Sequence, residues 1–431
     1  MSSVQVTATA VGELSLRSNF AWAVTGNTVY AICQWGMIVA LAKLGNAFMV
    51  GQFSLGLAIV TPVLMLSNVD LRAVQATDAR RQYRFAEYLW LRLKLTLAAL
   101  AVIAAIVWIG HYERRTVAVI EAVAFAKAVE SLSDIHYGLF QLNGRLDQTG
   151  RSMILRGVLA VAALSVGLYL MHDVFWGCIS VAMAWLLALL FFDVRHGHSL
   201  VARTESWEGE QYGGGLRQVR LLFLAFPLGI VTTIASINLH MPRYFIHARI
   251  GDDQLGIFSA LAYATVSLTL VGDSLGNSAI PRLSRLYAAG ELAEYRALVL
   301  RLVAIGCLVG LAGVALARTF GARLLAVCYG PNYAAHAGVF SLLMAGAAVH
   351  FAASMLTAGI TSARRFRIQV PLYVLVAACT AWGCIRWVPT LGLTGAALGA
   401  VFGSVVRLVF AAAVLAMSAA PRCSTKLVPA E

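Results

Sequence analysis

The chain has 431 residues, 60% of them hydrophobic and only 12% charged, with a mean hydropathy of +0.78. Soluble domains carry about 25% charged residues, so an ordinary soluble enzyme or binding module is excluded. A net charge of +13 would suggest nucleic acid in a soluble chain. Here it reads as the basic excess of cytoplasmic membrane loops, and no nucleic-acid partner is expected.

Nearly uncharged stretches recur, each close to the roughly 20 residues that cross a bilayer. Backbone groups in lipid must be satisfied inside the segment, and the alternation of a membrane barrel is absent, so these are helices. Residues 1–16 are mostly small, polar and uncharged, without the basic-then-apolar order of a signal peptide. Twelve spans are expected, near 19–41, 46–69, 93–110, 116–141, 152–171, 174–193, 219–247, 254–277, 300–317, 335–360, 370–388 and 392–417.

With the N-terminus placed in the cytoplasm, roughly two thirds of the 33 Lys and Arg fall on the cytoplasmic side, which predicts both termini inside. The connections on that side include 70–94, 142–156, 279–301 and the turn Arg364-Arg365-Arg367. The expected organisation is a bundle over 1–193, a cytoplasmic linker over 194–218, a second bundle over 219–417 and a tail over 418–431. His196 and His198 in the linker read as solvated residues, not metal ligands. The seven cysteines lie mostly in apolar spans without Cys-x-x-Cys or Cys/His spacing, so packing is expected and no metal site.

The second span opens on Gly51-Gln52-Phe53-Ser54, and Gly256-Ile257-Phe258-Ser259 repeats it 205 residues later. Ala86-Glu87-Tyr88 followed by Arg92-Leu93 returns as Ala293-Glu294-Tyr295 followed by Arg301-Leu302, the first of these at an offset of 207. Shared order and spacing read as a duplicated half.

Ionisable residues inside a span are costly and should face a cavity or a partner. In span four, Lys127, Glu130, Asp134, Tyr137 and Gln141 step by three or four along one face. Span seven carries Thr232, Ser236, His240, Arg243 and His247 on one stripe, with Pro227 and Pro242 expected to bend it. Span one offers Asn19, Asn27, Tyr30 and Gln34 on a similar face. Interhelical hydrogen bonding is the plain reading of such stripes. A water-filled cavity is favoured for spans four and seven, and both readings stay open for span one. His350 reads as a structural histidine. Gly392, Gly395, Gly399 and Gly403 have the small-xxx-small spacing of close helix packing. No Walker motif, nucleophile motif or catalytic residue set is present, so no ATP drive and no enzyme activity are expected.

Two six-span halves, the duplicated Gly-x-Phe-Ser start, Leu44-Gly45, the run Leu71-Arg72-Ala73-Val74-Gln75-Ala76-Thr77-Asp78 and Tyr329-Gly330-Pro331-Asn332-Tyr333 together carry a resemblance. The chain resembles the Wzx-type polysaccharide biosynthesis flippases of the multidrug/oligosaccharidyl-lipid/polysaccharide exporter superfamily. That superfamily includes the MATE transporters and the lipid II flippases. Unlike the longer members, this sequence stops soon after span twelve, so a fourteen-span arrangement is not expected. The resemblance implies an all-α polytopic membrane protein, its twelve helices in two pseudo-symmetric six-helix bundles around a central cavity.

The implied cargo is a polyprenyl-pyrophosphate-linked oligosaccharide, moved from the cytoplasmic to the periplasmic leaflet of a bacterial inner membrane for surface polysaccharide assembly by alternating access. Other polysaccharide-assembly proteins are potential partners. Arg243, with Lys127 second, is the candidate counter-charge for the pyrophosphate. His240, His247, Asn27, Tyr30, Gln34 and Tyr137 are candidate cavity residues. Glu130 and Asp134 are candidates for proton or sodium coupling, and no cofactor is expected. A MATE-like ion-coupled small-molecule antiporter is the alternative, and a membrane polymerase or ligase of lipid-linked glycans a remote one.

Overall fold

A computed structural model of the chain describes residues 15–78, 80–204, 215–363 and 368–418. The first 14 residues, the middle of the expected linker at 205–214, Arg364-Arg365-Arg367 and the tail beyond 418 lie outside the described residues.

The described chain is helical throughout its ordered elements. Its first half contains α1 Leu16–Leu44, α2 Ala47–Asn68, the short α3 Leu71–Ala76, α4 Phe85–Ile109, α5 Arg114–Leu142 and α6 Leu146–Met171. Then α7 Val174–Ala188 continues through a π-helical turn, Leu189–Val194, into α8 Arg195–Thr204. The second half contains α9 Gly215–Arg249, α10 Asp252–Ala288, α11 Leu292–Tyr329, the single turn α12 Pro331–Ala334, α13 Ala337–Ser362, α14 Gln369–Leu391 and α15 Leu393–Ser418. Each of the twelve expected spans falls on one of the long helices.

Local signals set several helix starts. The Ser15 hydroxyl accepts from Ser18 N at 3.3 Å, Asn46 Oδ1 from Met49 N at 2.9 Å and Asp173 Oδ1 from Phe175 N at 2.8 Å, each satisfying an end donor. Helix α9 passes through both Pro227 and Pro242 as one helix of 35 residues. Among the described residues, ten helices are long and apolar enough to cross a membrane. Helix α5 is not one of them, because its middle carries Lys127, Glu130 and Asp134.

Several helices start earlier than hydropathy alone predicts. Helix α4 begins at Phe85 instead of near 93, and α6 at Leu146 instead of near 152. The residues that made these turns look like loop, Arg92 and Arg156, are buried in the bundle. The expected linker differs too: 195–204 is helix α8.

The chain divides into two compact units. The first takes in residues up to Ala260 together with Cys328–Gly330, and the second takes in Leu261–Val327 and the chain from Pro331. The boundary therefore falls inside α10, not in the 194–218 connection, and α9 belongs with the first unit. The duplicated glycines explain this. A Cβ on Gly51 would overlap the Asp252 carbonyl, and a Cβ on Gly256 would overlap that of Ala47. Each glycine thus lies on the backbone four residues before the other, a reciprocal crossing that only two glycines permit. Farther along, Tyr244 donates to the Ala58 carbonyl, and Gly229 lies against Val69. These contacts bind α9 along α2.

In the second unit, α15 packs closely on α14: a Cβ on Gly395 would overlap the Trp387 backbone, and one on Gly403 the Thr380 hydroxyl. Gly399 sits on Cys384 in the same way. Gly392, expected in that packing stripe, instead ends α14 with φ 59°, a turn conformation suited to glycine. A core of Leu283, Tyr295, Phe351, Met355, Ile360 and Ala411 joins α10, α11, α13 and α15. Arg407 of α15 contacts His350 at 3.2 Å and the Thr357 hydroxyl at 3.4 Å, and stacks over Tyr373 at 5.4 Å.

Candidate functional site

The polar stripe of α5 organises the interior of the first unit. Helical spacing puts Lys127, Glu130, Asp134 and Tyr137 on one side of that helix. Lys127 Nζ donates to Glu130 Oε2 at 2.6 Å, and the Tyr30 hydroxyl of α1 donates to Glu130 Oε1 at 2.5 Å. Arg156 of α6 approaches the same carboxylate at 3.9 Å. Arg156 also donates to the Tyr137 hydroxyl at 3.1 Å, and Tyr137 in turn bonds Ser152 at 2.8 Å. Trp185 of α7 completes the arrangement: its indole donates to the Arg156 carbonyl at 3.2 Å, and its ring lies 4.9 Å from the Arg156 guanidinium and 5.6 Å from Lys127 Nζ.

One turn along α5, Asp134 receives Arg72 of α3 and Arg92 of α4, each at 3.2 Å. Asp70, at the α2–α3 junction, lies in the field of the same two arginines. Asp193, on the π-helical turn, is fully buried in the field of Arg156 and His136. Four cations and four carboxylates are thus gathered where lipid-facing helices would have none. Taking charges out of water is tolerated only with such mutual pairing.

The structure brings together Tyr30, Lys127, Glu130 and, through Arg156, Tyr137. Gln34 joins Lys127 in lining a recess of about 20 Å³ with Met37, Phe53, Leu57 and Trp185. That volume holds about one water and no sugar. Asp134 belongs to the second cluster, so Glu130 and Asp134 are each engaged by their own cations. On α9, Arg243 is buried with its Nη1 2.6 Å from His240 Nδ1. His247 is engaged elsewhere, 2.5 Å from Asp252 and beside the Tyr112 ring. Burial, and then the Asp252 charge, holds the Tyr112 phenol in the α4–α5 turn above its ordinary pKa. Asn27 does not join any of these groups: it is exposed, and its amide donates to the Ala23 carbonyl of its own helix at 2.8 Å.

Comparison with known proteins adds to this geometry. No family model matches the chain. A capsular polysaccharide biosynthesis protein of Staphylococcus aureus, CapF, is 23% identical over 400 residues, covering 91% of this chain and 97% of that protein. An inward-facing MATE-family transporter of the MOP superfamily superposes with a TM-score of 0.69 at 14% identity, covering 94% of this chain and all (100%) of that one. This is the MOP-superfamily fold. A second MOP transporter, from Pyrococcus furiosus and described as having a binding pocket of reversed polarity, gives a TM-score of 0.63 at 16% identity, with 93% and 94% covered. The resemblance drawn from the duplicated motifs is borne out at the level of fold and of the polysaccharide-biosynthesis relative.

Within this MOP fold, sequence reasoning passed over Arg72, Arg92, Arg156, Trp185 and Asp193. The first three stand beside basic turns, where hydropathy alone places them in cytoplasmic connections. A signal was nevertheless present. Tyr88, Arg92 and Thr96 step by four, as do Ser152 and Arg156, and all five are buried. Continuing a helical stripe back into a basic turn finds them.

Proposed function

We propose that the chain is a flippase that moves a polyprenyl-pyrophosphate-linked oligosaccharide from the cytoplasmic to the outer leaflet of a bacterial inner membrane by alternating access. Such cargo carries sugars and a pyrophosphate, groups that hydrocarbon excludes. The observation that carries this reading over a cation exporter is the state of the stripe carboxylates. Glu130 is held by Lys127 and Tyr30, and Asp134 by Arg72 and Arg92. In this conformation neither is left open for a cationic drug, and these pairs have to part before Lys127 can meet an anion or either carboxylate a coupling ion. Lys127 and Arg243 remain the proposed counter-charges for the pyrophosphate, with charge-assisted hydrogen bonds as the means. Tyr30, Gln34, Tyr137, His240 and His247 are proposed as polar lining, Glu130 and Asp134 as coupling groups for a proton or sodium ion. The polysaccharide-biosynthesis relative supports this cargo class.

A MATE-like antiporter is the second reading, favoured by the likeness to MATE structures. One genetic experiment separates the two. In a deletion strain, lipid-linked oligosaccharide should accumulate in the inner leaflet and be relieved by the wild-type gene but not by Arg243→Ala. Full rescue by Arg243→Ala removes that residue's assignment and leaves the flippase intact. Unchanged glycolipid together with new sensitivity to cationic drugs establishes the antiporter instead.

A further inference from the structure

A second recess lies away from the ion-pair stripe, at the end of the first unit that the basic-residue asymmetry assigns to the cytoplasm. It encloses about 210 Å³. Phe140 comes from the last turn of α5, Arg145 and Gln148 from the start of α6, and His196, Ser199, Leu200 and Arg203 from α8. The α8 residues are spaced at i, i+3, i+4 and i+7, so one stripe of that helix faces the recess. Phe140 and Leu200 are buried. The rest of the lining is two guanidiniums, an imidazole, a hydroxyl and an amide, with no carboxylate among the lining residues.

Each polar group has a defined state. Asp147 grips Arg145 through Nε at 2.9 Å and Nη2 at 3.1 Å, which fixes that guanidinium in place. His196 is anchored through Nδ1 to the Phe192 carbonyl at 2.7 Å and against the Phe192 ring at 4.3 Å, so its Nε2 is the remaining edge. Gln148 Oε1 is a buried oxygen without a hydrogen-bond partner, an unspent acceptor in the wall. Arg203 is exposed and forms no hydrogen bond or ion pair among the described residues. The N-terminus of α6, a helix of 26 residues, adds its dipole.

Cations around an apolar floor, with one acceptor left over, suit a phosphate that carries a hydroxyl-bearing headgroup. The position argues for a lipid. Helix α8 extends an apolar span, and Leu190 and Phe191, exposed on the turn just before it, are side chains for acyl chains to meet. Basic pockets between helices at this level are headgroup sites. We propose that this recess binds the phosphate of an anionic membrane lipid, and that it is separate from the transported cargo.

The test uses the full chain in nanodiscs and in detergent, with native mass spectrometry to count bound lipid and thermal unfolding as a second readout. The probes are phosphatidylglycerol, phosphatidylcholine and inorganic phosphate. Phosphatidylglycerol should be retained and should raise the unfolding temperature, while phosphatidylcholine does neither. Arg203→Ala, at an exposed position that should leave folding intact, should weaken retention about tenfold, whereas Arg203→Lys keeps part of it. Arg80→Ala is the control for general surface charge, since Arg80 is exposed on the same side and outside the recess. Equal phosphatidylglycerol retention by wild type and Arg203→Ala overturns the site. So does an equal loss in Arg80→Ala. Competition by inorganic phosphate as effective as that of lipid assigns the recess to free phosphate and overturns the lipid source.

Discussion

The two copies of the Ala-Glu-Tyr motif reach different ends. Their tyrosines behave alike: Tyr88 and Tyr295 are both buried, Tyr88 donating to Asp78 at 3.2 Å and Tyr295 to the Gly359 carbonyl at 2.8 Å. Their charged neighbours do not. Glu87 is buried and accepts from Arg84 N at 2.8 Å, whereas Glu294 is exposed. Arg92 is fully buried on Asp134, whereas Arg301 is exposed. Spacing explains the arginines. Arg92 follows its tyrosine by four residues and Arg301 by six. At about 100° per residue, the first stays on the buried face and the second turns to the opposite one. A shift of two residues within one repeat thus decides whether a charge enters the interior. The pairs that hold Asp134, Glu130, Asp147 and Glu87 all lie in the first unit.

The arginines give the largest test of this difference. Arg92→Ala leaves Asp134 with Arg72 alone and opens a void where no water reaches, so it should cost about 3–5 kcal/mol. Arg301→Ala should stay within about 0.5 kcal/mol. Thermal unfolding of both variants in one detergent makes the measurement. Arg92→Met, which fills the void without restoring the charge, should recover the packing share of the loss and leave the electrostatic share, since Asp134 keeps Arg72 in both variants. Equal losses for Arg92→Ala and Arg301→Ala would remove the burial argument.

Hydropathy made the spans legible, since each expected span lies on a long helix. Helix ends were less legible, because a buried arginine and a loop arginine look the same until the partner is known. Asp134 was visible on its stripe, but Arg72 and Arg92 reach it from 62 and 42 residues away. The duplicated Gly-x-Phe-Ser motif was legible as a repeat. Its purpose was not, because the reciprocal seating of Gly51 and Gly256 exists only when α2 and α10 cross. Within the candidate site, Lys127, Glu130 and Tyr30 were found from periodicity and come together as a cluster. Asn27 shares the sequence features of Tyr30 but points its amide to its own backbone, a choice that composition does not encode.

The tyrosines sharpen the comparison at the next level. Tyr30→Phe removes a donor from the Glu130 carboxylate, a charged acceptor, and should cost about 1.5–3 kcal/mol. Tyr295→Phe removes a donor from a neutral carbonyl and should cost about 0.5–1.5 kcal/mol. If buried charge is what distinguishes the first unit, the Tyr30 variant is the weaker protein in chemical or thermal unfolding. The reverse order would place the greater polar stake in the second unit.

The glutamates give the smallest and finest test. Glu87 closes the first turn of α4 by accepting from the Arg84 N–H, and Arg217 lies 3.5 Å from its other oxygen. Glu87→Gln keeps the shape and one acceptor but leaves Arg217 without its charge, so a loss of about 1 kcal/mol is expected. Glu294 sits in the first turn of α11, exposed to solvent, where its gain is limited to the helix dipole. Glu294→Gln should therefore cost only about 0.3 kcal/mol, and raising the salt concentration should erase even that. The Glu87→Gln loss should fall less with salt, since Glu87 itself is buried and keeps its bond to the Arg84 N–H, although Arg217 is 35% exposed. Salt dependence, more than size, is what separates a charge built into the interior from one left at the surface.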